Sequence, residues 1–344
     1  MDRLELAGAA GPGDVRRTTR ADPAGPPGRT AAPTTRVTAP SPRQLTAAAA
    51  LLGVAAVWGS TYVVVKSAVS TMPVGDFLTW RFALATMVVF AVRPRAVLRL
   101  GAAGVGVGAA TGLMLALGYA LQTAGLLTTP SSVSGFLTGT LVVITPLAAS
   151  VLLRERVTRS GWAAVALATV GLALLCLREL SLGAGEAMTL GCAVFFALHI
   201  VALSRWSSRH DLLGLVVVQM FTVTLASAAV AAPRGLSLPP HGSAWSAVLL
   251  TGLAATALAY FVQTWAQMHL SATRTGIILT TEPVFAGLVG VLVAGDSFGT
   301  RSAVGAAILV AAMLLSAVQG GTRRRPRRGL DTPIPDRRPQ DLQK

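Results

Sequence analysis

Charge is scarce in this chain: 12% of its 344 residues are Asp, Glu, Lys or Arg, about half the share found in soluble domains. Lysine occurs twice, cysteine twice, tyrosine three times and histidine four times. Two cysteines, Cys176 and Cys192, both in apolar stretches, build no disulfide framework and read as small buried hydrophobes. Four histidines without a carboxylate–metal cluster, an H-E-x-x-H motif or a Ser–His arrangement give no reason to expect a metal, a cofactor or a catalytic centre. The apolar set reaches 53% and the mean hydropathy is +0.62, more apolar surface than a soluble globule of this size can bury.

A net charge of +15 and a pI of about 11.6 conflict with that greasiness until the charges are placed. Residues 1–43 carry seven Arg and four acids; residues 320–344 carry eight Lys/Arg and three acids. The intervening 276 residues hold only 21 charges. The first tail, with seven prolines and few large apolar residues, reads as disordered and lacks the pattern of a cleavable signal peptide. The run GGTRRRPRRG has no interleaved aromatics to stack on bases, so nucleic acid is not an expected partner, whereas anionic lipid is.

Ten apolar runs are long enough to approach the thickness of a bilayer: 45–65, 74–92, 102–127, 131–153, 161–177, 187–203, 212–232, 244–268, 273–294 and 303–318. None alternates with period two, which excludes a barrel and makes them helices. Loops after even-numbered spans hold nine arginines (Arg93, Arg95, Arg99, Arg154, Arg156, Arg159, Arg205, Arg209, Arg274); those after odd-numbered spans hold four basic residues (Lys66, Arg178, Arg234, Arg301). The positive-inside rule then puts both termini in the cytoplasm. The bias of 27 Arg to 2 Lys suggests a GC-rich genome and a bacterial inner membrane.

A shift of 141 residues lays GYALQTAGLL at 118–127 over AYFVQTWAQM at 259–268, matching Tyr119 with Tyr260, Gln122 with Gln263 and Thr123 with Thr264. The same shift matches Gly135 with Gly276, Thr140 with Thr281 and Glu155 with Asp296. Five spans per copy is an odd number, so the second copy enters the membrane inverted. That is the plan of secondary transporters, with substrate held near mid-membrane between the halves. The expected fold is all-α and polytopic, ten transmembrane helices in two inverted five-helix repeats. The expected divisions are a tail 1–43, repeats 44–177 and 185–319, a linker 178–184 and a tail 320–344.

WGSTYVVVK at 58–66 followed by WRFALA at 80–85 resembles the first two helices of the drug/metabolite transporter superfamily, EamA-like branch. Residues 135–175 resemble that family's helix 4–5 unit, and residues 281–315 its helix 9–10 unit. The second copy departs from the family pattern by reading AGDSF where a Gly-Glu-Arg loop end is common. The resemblance implies an exporter or importer of small metabolites. Spans 1–4 and 6–9 would line a central cavity, with spans 5 and 10 peripheral.

Arg81 and Glu282 sit deep in spans 2 and 9, where a charge costs several kcal/mol and needs a partner or a wet cavity. Two readings stay open: a structural role, as an ion pair or with Arg81 capping carbonyls at a broken helix; or a functional one, with Glu282 exchanging a proton and Arg81 attracting an anionic group. Gln122 and Gln263, with Tyr119 and Tyr260 one turn earlier, serve interhelical hydrogen bonding or a cavity wall. Trp58 and Tyr62 share a face at i, i+4 and suit an aromatic wall or plain packing. His199 can titrate near neutrality or simply bridge helices. Pro146 and Pro283 are expected to kink their helices. Gly104, Gly108 and Gly112 lack the strand and Lys-Ser/Thr of a phosphate loop and read as a packing stripe. The sum is a secondary active transporter of small organic metabolites, read in the export direction, with proton coupling at Glu282 as one option. A homodimer stays open, as does the alternative class of a non-transporting sensor or intramembrane enzyme.

Overall fold

The computed structural model describes residues 40–176, 183–294 and 299–318. They fall in one unit, Val37–Lys344. The expectations for the tails, for the linker around Arg178 and for Asp296 lie outside these residues. Among the described residues there is helix and no strand.

The first helix, α1 (Pro42–Val69), starts with a capping box. Ser41 Oγ accepts the Gln44 amide, the Gln44 side chain accepts the Ser41 amide at 3.0 Å, and Pro42 fills the first position, where no N–H is needed. Next come α2 (Val74–Val92), α3 (Gly101–Gly125), α4 (Ser131–Gly139), α5 (Leu141–Leu152) and α6 (Arg159–Cys176). The remainder are α7 (Ala184–Trp206), α8 (Leu212–Ala231), α9 (Gly242–Gly252), α10 (Ala259–Gln267), α11 (Ala272–Leu279), α12 (Glu282–Ala294) and α13 (Thr300–Val318). A π-helical segment, Leu253–Leu258, joins α9 to α10.

Among the described residues, seven helical stretches are long and apolar enough to cross a membrane, and two more, Arg159–Leu175 and Thr300–Ser316, are apolar but shorter. The ninth expected span is missing from the seven because Thr280 and Thr281 interrupt it, leaving α11 and α12 as two short halves. The fourth is also broken, at Thr140. The breaks are not where proline suggested. Pro146 lies inside α5 without ending it, and Pro283 is the second residue of α12, where the missing amide is one the helix start leaves unpaired anyway.

The two breaks share one hydrogen-bond pattern. Thr140 N–H donates to Leu137 O at 3.2 Å, and Thr281 N–H donates to Ile278 O at 3.1 Å. Val143 N–H then reaches Thr140 O at 2.9 Å, and Val284 N–H reaches Thr281 O at 3.0 Å. Each threonine hydroxyl also bonds the carbonyl three residues back, a competition with the helix ladder that bends or ends it.

α1 runs against α10, α11 and α12, α2 against α8, α3 against α7 and α8, and α6 against α13. The glycine stripe of α3 is a packing surface. A Cβ on Gly112 would stand 2.7 Å from Gln219 O, and one on Gly108 would stand 2.8 Å from the Val218 side chain, both on α8. Large apolar side chains such as Val63, Met87, Val151 and Leu292 point outward, as lipid permits and water does not.

Candidate functional site

Where α1, α2, α3, α4, α7, α10 and α12 converge, they enclose one cavity lined by all nine residues singled out from the sequence. The threonine breaks and the π segment are what place several of them. Glu282 is the first residue of α12 because the chain restarts a helix there. It is half-buried, on the cavity wall, and its carboxyl lies beside the Tyr62 hydroxyl. Gln122 Nε2 in turn donates to Tyr62 Oη and to Thr138 Oγ1, both at 3.3 Å. A line of polar groups thus runs from α3 through α1 to α12.

Arg81 is buried, with Nε and one terminal nitrogen hydrogen-bonded. Its Nε donates to Thr256 Oγ1 at 2.7 Å, and one terminal nitrogen lies 3.4 Å from both Tyr119 Oη and Ala255 O. Its guanidinium carbon stands 4.8 Å from the Tyr119 ring centre and 5.5 Å from that of Phe82. Its partners do not include Glu282, so of the structural alternatives the structure shows carbonyl capping rather than the ion pair. The capped carbonyl belongs to the π segment, whose wider turn withdraws backbone groups from the α-helical ladder. Trp58 Nε1 donates to the same Ala255 carbonyl at 2.8 Å, and Thr256 Oγ1 closes the segment onto Thr251 O at 2.8 Å.

At the centre, Tyr260 Oη donates to Tyr119 Oη at 2.9 Å. The Tyr260 ring packs against Trp58 at 5.4 Å and edge-on to His199 at 5.9 Å. His199 Nε2 is 2.8 Å from Gln219 Oε1, which fixes the imidazole to α8 and makes it a bridge as well as a wall. Gln263 Nε2 donates to Gln267 Oε1 at 3.1 Å. Gln267 Nε2 donates to Ile200 O at 2.7 Å and Ser204 Oγ at 3.0 Å.

Sequence reasoning missed Thr61, Thr138 and Phe196 on the wall, together with Gln219, Gln267 and Thr256 behind it. The two glutamines carried the same signal as Gln122, an amide inside an apolar span. Phe196 carried none. Next to the cavity, toward the N-terminal end of α1, an apolar cluster including Leu51, Val54, Ala197, Ala266 and Leu270 fills the space between the helices. No described residue of α6 or α13 lines the cavity.

The profile of the EamA-like transporter family matches the chain twice, over residues 45–177 and 183–318. A curated relative from Archaeoglobus fulgidus, named an uncharacterized transporter, is 28% identical over 266 residues, covering 77% of this chain and 84% of that protein. A solved crystal structure superposes with a TM-score of 0.68 at 18% identity, covering 79% of this chain and 96% of that one; it speaks to the fold alone.

Proposed function

Because this chain belongs to the EamA-like transporter family and is a multi-pass membrane protein, we propose that it is a secondary active transporter of small organic metabolites. The family and the relative's name point to transport rather than catalysis. In this reading ten helices form two inverted five-helix repeats, 44–177 and 185–319, joined by the linker 178–184 and flanked by polar tails 1–43 and 320–344. The two profile matches and the recurrence of one break at Thr140 and Thr281 support the repeat.

The observation that carries the reading is the cavity itself. Side chains of both halves meet in one chamber of polar, aromatic and aliphatic lining, with the Tyr119–Tyr260 contact between them. Rocking the halves about such a site gives alternating access. The cluster around Leu51 and Ala266 closes the end of the cavity toward the N-terminus of α1, while Val65 and Leu126 line it toward the opposite end. With both termini cytoplasmic in an inner membrane, as the arginine distribution argues, this is a state closed to the cytoplasm.

Substrate-binding roles fall to Trp58, Tyr62, Tyr119, Gln122, His199, Tyr260, Gln263 and Glu282, with Arg81 holding the wall in shape. Glu282 is the coupling group. A carboxyl that holds either a proton or the substrate exchanges one for the other, so an inward proton gradient drives substrate out. The test is competition uptake in proteoliposomes with a metabolite panel under an imposed pH gradient. Saturable, gradient-driven flux supports transport; absence of saturable flux across a broad panel overturns it.

A further inference from the structure

The polar groups of the cavity are unequally committed, and this asymmetry defines what fits. Resting on the transporter reading of this same site, we propose that the cavity selects organic ammonium ions: a protonated amine held by Glu282 and Gln263, with its apolar body against Trp58, Tyr62 and Tyr260.

Ile200 O can only accept, so the Gln267 group 2.7 Å from it is the amide nitrogen. Gln267 Oε1 is therefore an acceptor, and the Gln263 group 3.1 Å from it must be Nε2. Both amide orientations follow from that one carbonyl, a stronger basis than the usual choice between flipped amides. Gln263 Oε1 is left buried in the cavity wall with no hydrogen-bond partner. An unmet buried acceptor costs about 1–3 kcal/mol and is relieved by a ligand that donates.

Most of the donors on the wall are already in use. Trp58 Nε1 is bound to Ala255 O, Gln122 Nε2 to Tyr62 and Thr138, and the Tyr260 hydroxyl to Tyr119. Arg81, the cation that would otherwise greet an anion, is bound to Thr256, Tyr119 and Ala255. Opposite this stands Glu282, half-buried on the wall, a carboxyl with lone pairs to offer a donor. Aromatic faces around a carboxylate attract cations further. A carboxylate on the substrate meets the like-charged Glu282 carboxyl on the wall, so amino acids and organic acids fit worse than the plain amine.

A matched series isolates this charge selection: phenethylamine, phenylacetate, L-phenylalanine and 2-phenylethanol. Binding of each to the purified full-length chain in detergent is read by titration calorimetry, with protein-free detergent micelles as the background. Phenethylamine is expected to bind saturably and at least tenfold more tightly than the other three. Glu282→Gln should abolish that binding, and Gln263→Met should weaken it severalfold at an unchanged thermal midpoint. Any of the other three binding as tightly as the amine overturns the proposal, as do four titrations indistinguishable from the protein-free background. Amine binding without any flux in proteoliposomes defeats the transport reading and leaves amine recognition standing, so the two failures are distinct.

Discussion

Tyr119 and Tyr260 meet hydroxyl to hydroxyl at 2.9 Å, their rings 6.2 Å apart and crossed at 72°. They are 141 residues apart, the same offset that relates the helix breaks at Thr140 and Thr281. Residues that correspond in an internal repeat face each other only near the axis relating the copies. The contact therefore places that axis in the cavity, with Arg81 bearing on the Tyr119 side alone. The repeat is symmetrical in its tyrosines and asymmetrical in its charges.

Removing either hydroxyl tests the pair. Tyr260→Phe loses one bond between helices, worth about 0.6–2 kcal/mol in membrane proteins. Tyr119→Phe should be the more damaging, because Arg81 loses an acceptor as well. Since both single changes break the same contact, the double variant should be less destabilised than the sum. Unfolding midpoints of the four proteins in detergent check this, and strict additivity would show that the contact contributes nothing.

Gly59 sets how closely α1 approaches the start of α12. A Cβ there would stand 2.8 Å from Ala286 N and closer still to Glu282 O, both of them backbone atoms that cannot rotate away. Gly59→Ala should force the two helices apart, at about 1–3 kcal/mol as for other overpacked interiors, and carry Glu282 with it. Expected together are a lower thermal midpoint and a loss of uptake. A variant with normal uptake and stability would mean that the two helices separate freely.

The cavity wall was largely legible in the sequence because polar side chains inside apolar helices demand partners. The spans that contain Arg81, Gln122 and Glu282 offered few places for those partners to be. The shape of the helices was not legible. Thr140 and Thr281 matched under the repeat, but hydropathy cannot show that a threonine hydroxyl replaces a ladder bond. The prolines drew attention to Pro146, which α5 absorbs. Likewise the π segment reads LAATAL, ordinary apolar helix, so nothing indicated that its Ala255 carbonyl would hold Arg81 and leave Glu282 without a cationic partner.

Arg81→Lys separates scaffold from substrate contact. One ammonium cannot reproduce the guanidinium's simultaneous bonds to Thr256, Tyr119 and Ala255. The expected result is a stability loss of about 1–3 kcal/mol, with the ranking of phenethylamine over phenylacetate unchanged. A stable Arg81→Lys protein that changes that ranking would show the residue touching substrate.

Glu282→Gln keeps the shape and the Tyr62 contact but removes the group that exchanges a proton. Flux against an outward substrate gradient, driven by an imposed inward proton gradient, should fall about tenfold or more, equivalent to about 1.4 kcal/mol. Residual flux should no longer respond to the pH difference. Radiotracer flux at matched and unmatched pH measures both; wild-type pH response in the variant assigns coupling elsewhere.

Orientation decides what the closed end of the cavity is closed to. Leu98 lies in the arginine-bearing turn after α2 and is 81% exposed; Leu238 lies between α8 and α9 and is 64% exposed. Arginines flank the first position on both sides, whereas Arg234 is the nearest basic residue to the second, so the positive-inside rule puts Leu98 in the cytoplasm and Leu238 outside. In a background lacking Cys176 and Cys192, Leu238→Cys should react with a membrane-impermeant maleimide in intact cells. Leu98→Cys should react only after permeabilisation. The opposite pattern would invert the chain, and the end sealed around Leu51 and Ala266 would then face outward, making this a state closed to the outside.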